Sequence, residues 1–490
     1  MLEIKSLKVT ISVSKILAAG FVFLYLSGFA YAEEDKSLTG SSLVSVFDSF
    51  IYRDLFGSEP MRLVFSDEAL IKHWLNIEIL LAQSQAELGV IPKSAAIAIK
   101  KAAQWENIDL VKLRYGTHKT GRPIKPLIDQ VREAGGPEVG NYLHWGSTTQ
   151  DIMDTATSLQ INQGLQLLDK QLSLVIVQLA AMAKEHRATV MVARTNGQQA
   201  APTTFGLFIS TYMLELDRHR QRITELVPRV AVGQSTGAVG TLAAMGDNGL
   251  LVREKLMEKL GLGTALLPWN SSRDNYAESI MVLGLIQGTL GRLANDIMTL
   301  SRLEIGEVKE GEGGASSTMP QKKNPRASEF ISALTRMARI RMSGAMEIMD
   351  HSDTRTGSPW IVEWSLIPEM FLITSASLAR AEQLLKKLEI YPEKMRKNID
   401  ISGGYAMSEA VMMFLAKKNG ARGNAYESLK TAIKQAKPNE TLREVIESNQ
   451  ALKKTIGDEL DELLKPENYI GFAPQMVDQA VNASCKNIPC

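Results

Sequence analysis

The sequence predicts an all-α protein on three observations. Apolar residues recur at helix-seam spacing: Leu165, Leu168, Leu172, Val175, Leu179 and Met182 advance in alternating steps of 3 and 4, as do Leu283, Ile286, Leu290, Leu293, Ile297 and Leu300. Such seams pack long helices side by side at shallow crossing angles, and two of them suggest a bundle. No pair of Val- or Ile-rich alternating runs joined by a tight turn stands out, so no sheet is expected. With 490 residues, 45% hydrophobic and 22% charged, the chain can bury a large core, which excludes a disordered, collagenous or disulfide-scaffold protein.

Taken in chain order, residues 1–32 read as an address. Lys5, Lys8 and Lys15 precede an uncharged run from Ile16 to Phe29, which ends in Ala30-Tyr31-Ala32. A basic start, a short apolar stretch and an A-x-A site describe a secretory signal peptide, and the run is short for a membrane span. The expectation is an exported protein, in the bacterial periplasm, without stable membrane association after cleavage. An N-terminal helical domain is expected over 33–145, a central long-helix bundle over 146–385 and a C-terminal helical domain over 386–490. Loop-like stretches are Tyr115 to Pro126 with Gly135-Gly136-Pro137, the Gly-rich Gly233 to Gly249, Gly306 to Pro325, and His351 to Pro359. Cys485 and Cys490 are the two cysteines; a small disulfide and two free thiols both remain open. No Cys/His cluster suggests a metal site. A formal net charge of +1 argues against nucleic-acid binding by bulk electrostatics.

The chemistry concentrates in Gly311 to Pro325. Glycines let backbone fold over a ligand, Ser316, Ser317 and Thr318 offer hydroxyls, and Lys322, Lys323 and Asn324 supply donors. A helical pattern resumes at Arg326 (Phe330, Leu334, Met337), so the basic cluster sits near a helix N-terminus, a ready anion site. No Walker A loop and no dinucleotide fingerprint occurs, so no cofactor is implied.

Ala315-Ser-Ser-Thr-Met-Pro-Gln-Lys-Lys-Asn-Pro325 resembles the GSSxMPxKxNP signature of the fumarase/aspartase superfamily. His144-Trp-Gly-Ser-Thr-Thr-Gln-Asp151 with Asp154-Thr155 resembles the HxGxTSxDxxDT block of adenylosuccinate lyases and 3-carboxy-cis,cis-muconate cycloisomerases, and Ala193-Arg-Thr-Asn-Gly-Gln-Gln-Ala-Ala-Pro202 their RTxxQxAxP block. Gly237 to Thr241 and Arg273-Asp274 fall in order. Trp360, Glu363-Trp364 and Pro368-Glu369 look like the cycloisomerase branch. The resemblance implies a three-domain helical subunit, a bundle of about twenty helices in a homotetramer, and active sites built by three subunits. It also implies reversible elimination next to a carboxylate: a base removes the α proton, an aci-carboxylate dianion forms, and the leaving group departs.

By this resemblance Ser316 is the base, with its alkoxide stabilised by loop N–H groups and Lys322. Lys322 and Asn324 bind the carboxylate on which charge develops; Thr148, Thr149 and Gln150 hold a second carboxylate; Arg273 binds the leaving group or a remote anion. Gly311, Gly313 and Gly314 let the loop close as a lid. Many lyases of the superfamily carry an acid His in the RTHxQ block, but here the position is Asn196; Asn196 and Gln198 are read as substrate-binding residues. Asparagine cannot donate a proton as an acid, and the cycloisomerase branch also lacks His there. His144 is the best substitute, against a structural or substrate-binding reading. His351 opens a loop where relatives often read HERD; here Glu and Arg are displaced. His73, His118, His186 and His219 are read as structural. The leading expectation is a lyase nearest the cycloisomerase, acting on a small carboxylate-bearing substrate. The alternatives are an adenylosuccinate-type C–N lyase releasing fumarate and an exported binding protein that keeps the fold.

Overall fold

In a computed structural model, the described residues are 44–311, 314, 315, 317–486, 488 and 490. The signal-like segment 1–32 lies outside them, as do Ser316 and Gly313. Two compact units are distinguished, residues 1–54 and 55–490. Described residues of the first begin as turns; the second carries everything below.

The seams become long helices: α1 (Asp67–Glu87), α2 (Thr149–Glu185), α3 (Phe205–Val230), α4 (Asp274–Leu300), α5 (Arg326–Met342) and α6 (Gly357–Lys386). Polar residues set their starts. Ser66 accepts from the Ala69 N–H at 3.2 Å, and Thr204 from the Leu207 N–H at 3.1 Å, the N-cap contact that satisfies a free helix donor. Leu165, Leu168, Leu172, Val175 and Leu179 of α2, and Leu283, Ile286 and Leu290 of α4, are fully buried. Each such side chain contributes about 1.5–3 kcal/mol.

The helices run up and down. α2 packs on α3 and α6, and α4 on α5. Ser158 of α2 donates to the Val232 carbonyl just past the end of α3, and Ser332 of α5 to Asn295 of α4. The bundle therefore has two ends. The front holds the start of α2, the start of α4, the segment after α3 and the start of α6. The back holds the end of α2, the start of α3, the end of α4 and the start of α5. At 1.5 Å per residue, the 37 residues of α2 separate them by about 55 Å.

Two expectations are corrected. Paired strands do exist. β1 (Val190–Thr195) and β2 (Gln198–Thr204) form an antiparallel hairpin; β3 (Val232–Gly233) pairs with β4 (Gly263–Thr264); β5 (Val308–Glu310) with β8 (Leu388–Ile390); and β6 (Gly314–Ala315) with β7 (Lys323–Asn324). The hairpin turns on Asn196-Gly197, both at positive φ (53° and 77°), the tight-turn pair favoured in hairpins. The polar β2 hid it. Tyr115 to Pro126 is also mostly helical: one helix runs Leu110–Thr120 and another begins at Ile124. Gly116 serves close packing, since a Cβ there would lie 2.4 Å from the Cβ of Pro126. Gly135-Gly136-Pro137 lies inside Ile124–Tyr142 as a kink at Gly136. Cys485 and Cys490 are disulfide-bonded, with Cα atoms 5.5 Å apart.

Candidate active site

The front group is organised by one buried carboxylate. Asp151, in the first turn of α2, accepts from the N–H groups of Thr148 (3.1 Å), Thr236 (3.0 Å) and Gly237 (2.9 Å). It thereby ties the 144–150 block to the Gly-rich loop after α3. Burial pushes its pKa up to about 6 against these three hydrogen bonds. Half-buried Thr148 also accepts from Arg355 at 3.0 Å, while the same guanidinium holds the Ala238 carbonyl at 2.6 Å. Thr149 is half-buried. Gln150 is buried; it donates to the Asn270 carbonyl at 3.0 Å and leaves its own carbonyl oxygen unpartnered.

His144 stands at the mouth of this block with φ 63°, a left-handed conformation uncommon for a residue with a Cβ. Its Nδ1 lies 2.6 Å from Oε1 of Glu78 on α1. Burial opposes the imidazolium, but the charge and hydrogen bond of Glu78 outweigh it and hold the His144 pKa above the usual histidine value.

Arg273 does not sit where a substrate anion would need it. Its side chain is fully buried, donating to both oxygens of Asp154 (2.8 and 3.1 Å) and to Glu363 at 2.7 Å. Trp269 and Tyr276 face the guanidinium at 4.9 and 4.7 Å, and Trp360 Nε1 donates to Asp154 at 2.9 Å. Two carboxylates thus share one arginine, so the expected anion-binding role gives way to a polar hub joining α2, α4 and α6. His351 lies close by: both ring nitrogens are buried without partners, and burial followed by the Arg273 charge lowers its pKa.

The back group is different. Asn196 and Gln198 are exposed at the hairpin tip. The hairpin is anchored below by Arg194, which donates to both oxygens of Glu307 at 2.9 and 2.6 Å. Glu310 caps α5, accepting from the Ala327 N–H (3.0 Å), the Ser328 N–H (2.9 Å) and the Ser328 hydroxyl (2.6 Å). Between them the signature loop doubles back through β6 and β7, with Gly314 opposite Asn324. A Cβ on Gly314 would meet Arg326 Cγ at 2.2 Å, so a side chain here would push the Arg326 side chain aside. Lys322 is exposed and Asn324 half-buried. Ser316 belongs to the same loop, outside the described residues.

The expected site residues therefore form two groups, His144 with Thr148–Gln150 and Asn196, Gln198, Lys322 with Asn324, at opposite ends of the bundle. Arg355 and Glu78 were not foreseen. Arg355 stands in the displaced HERD-like loop, and Glu78 lies 66 residues from His144, beyond any local pattern.

Residues 57–340 match the family model described as "Lyase", and residues 404–480 match "Adenylosuccinate lyase C-terminus". The chain belongs to the fumarase/aspartase superfamily of lyases. This lyase is 37% identical to trans-aconitate decarboxylase 1 of Mycosarcoma maydis, covering 88% of each chain. It is 36% identical to the 3-carboxy-cis,cis-muconate cycloisomerase of Pseudomonas aeruginosa, over 89% of this chain and 95% of the relative. The crystal structure of fumarate lyase from Mesorhizobium sp. BNC1 superposes with a TM-score of 0.82 at 40% identity, covering 87% of this lyase and 98% of that chain.

Proposed function

We propose that this lyase catalyses reversible elimination next to a carboxylate with Ser316 as base and His144 as proton donor, opening the lactone of an unsaturated tricarboxylate or closing it. The observation that carries the reading is Asn196. It occupies an exposed hairpin turn and has no titratable group, so that position supplies no acid. A carboxylate leaving group, departing as a lactone opens, asks less of its acid than a departing amine does, a demand that the hydrogen-bonded imidazole of His144 can meet. The relatives named for trans-aconitate and 3-carboxy-cis,cis-muconate support this substrate class, since both compounds carry three carboxylates. His144, Arg355 and Lys322 are the cations to receive them, with Thr148, Thr149, Gln150 and Asn324 as neutral donors.

One site would combine the front of one subunit with the back of others in a homotetramer. The separation of about 55 Å along α2 supports sharing over assembly within one chain. An exported location is part of the same proposal; the Cys485–Cys490 bond supports it, because disulfides persist in oxidising compartments. A second reading, a C–N lyase releasing fumarate, is favoured by the match of residues 404–480 and by the titratable His144.

The test is a substrate panel of aconitate isomers, muconate lactones and succinylated amines and amino acids, followed by ultraviolet absorbance of the conjugated alkene. Interconversion of a lactone with its open unsaturated tricarboxylate upholds the proposal. Fumarate release from succinylated amines alone overturns it in favour of the second reading.

A further inference from the structure

We infer that Glu78 is a positioning residue for the reaction: it holds His144 as an imidazolium with Nε2–H free to protonate the leaving group, replacing the acid missing at residue 196. This rests on the proposed role of His144 and adds the residue that makes it work.

Three features of the pair go beyond a structural contact. Glu78 is 3% exposed, and its Oε2 has no partner among the described residues. Buried structural carboxylates normally saturate both oxygens. The Oε1–Nδ1 distance of 2.6 Å fixes the ring through Nδ1, and no described residue bonds Nε2. The backbone at His144 adopts φ 63°, and such conformations cluster at functional sites. The charged groups facing the imidazole are Glu78 from α1, Asp151 from α2 and Arg132 from the Ile124–Tyr142 helix. The two carboxylates favour the cation and the arginine opposes it; Glu78 acts most strongly.

The proton accounting closes. Ser316, as its alkoxide, takes the proton from the carbon next to the carboxylate, and that C–H pair becomes the alkene. The bond to the leaving group breaks with its electrons on the leaving atom, which takes the Nε2 proton of His144. His144 is left neutral, still donating Nδ1–H to Glu78; the proton now on Ser316 passes to water and water returns one to Nε2, which restores both the alkoxide and the imidazolium.

The experiment is the pH dependence of kcat/KM for the purified full chain, on a substrate from the panel, with Glu78→Gln, Glu78→Asp and His144→Asn alongside. The wild type should keep its acid protonated above the ordinary histidine value of about 6.5. Glu78→Gln should move the alkaline limb down and lower kcat at pH 8 by at least about tenfold with little change in KM, and Glu78→Asp should restore part of the limb. An unchanged limb in folded Glu78→Gln, with His144→Asn slow, overturns the role of Glu78 and leaves His144 standing. A normal rate in His144→Asn overturns the proton-donor reading itself. If Glu78→Gln does not fold, ring-labelled histidine NMR of the wild type still decides, since the chain has 6 histidines: a His144 pKa at or below about 6.5 contradicts the inference.

Discussion

The front and the back of the bundle solve different problems. At the front three charged side chains tie the fold together: Asp151 holds two loops, Arg273 bridges Asp154 and Glu363, and Arg355 links Thr148 to Ala238. At the back Asn196, Gln198, Lys322 and Asn324 sit on an exposed turn and in the signature loop, with the anchoring done beneath them by Glu307 and Glu310. In the proposed function the front is a preorganised receptor, while the back presents chemistry from loops positioned by a rigid scaffold. Substitutions at the back should therefore cost activity, and substitutions at the front should also cost stability.

The largest effect should come from the back. Ser316→Ala should lower kcat at least about 100-fold, and Lys322→Ala about 10²- to 10³-fold. Lys322→Ala should leave the urea midpoint unchanged, because Lys322 is exposed. A Lys322→Ala enzyme that unfolds early would break the contrast. At the front, Arg273→Ala should cost about 3–5 kcal/mol by leaving Asp154 and Glu363 buried without their cation, read as a lower urea midpoint. An Arg273→Ala enzyme of normal stability with a raised KM would return Arg273 to a substrate-binding role.

A smaller effect sharpens the contrast through pH. The unfolded Asp151 loses its proton near the ordinary value of about 3.9, whereas in the fold its pKa is about 6. Between these values the folded state binds more protons, so stability falls as pH rises. The stability advantage of the wild type over Asp151→Asn should shrink by about 2 kcal/mol between pH 4 and 7. A constant difference across that range would show that Asp151 stays ionised throughout.

Much of this was legible in the chain. The seams at 165–182 and 283–300 lie inside α2 and α4 because a 3.6-residue period is a local property. The signature loop could be read because its glycines, hydroxyls and lysines are contiguous. What was misread depended on distant partners. Arg273 looked like an anion binder because Asp154 and Glu363 are 119 and 90 residues away. Glu78 could not be paired with His144 across 66 residues. The hairpin at Asn196-Gly197 carried its turn signal, but Gln198–Thr204 lacks the β-branched pattern of a strand.

The central claim is that the front of one chain and the back of another complete a single active site, and mixed oligomers test it directly. Ser316→Ala and His144→Asn subunits, carrying different tags, would be co-expressed and the doubly tagged oligomers purified and assayed. The account predicts activity well above that of either parent, because some sites in the mixture receive an intact back and an intact front. Doubly tagged oligomers no more active than the parents would contradict it and return both groups to a site within one chain.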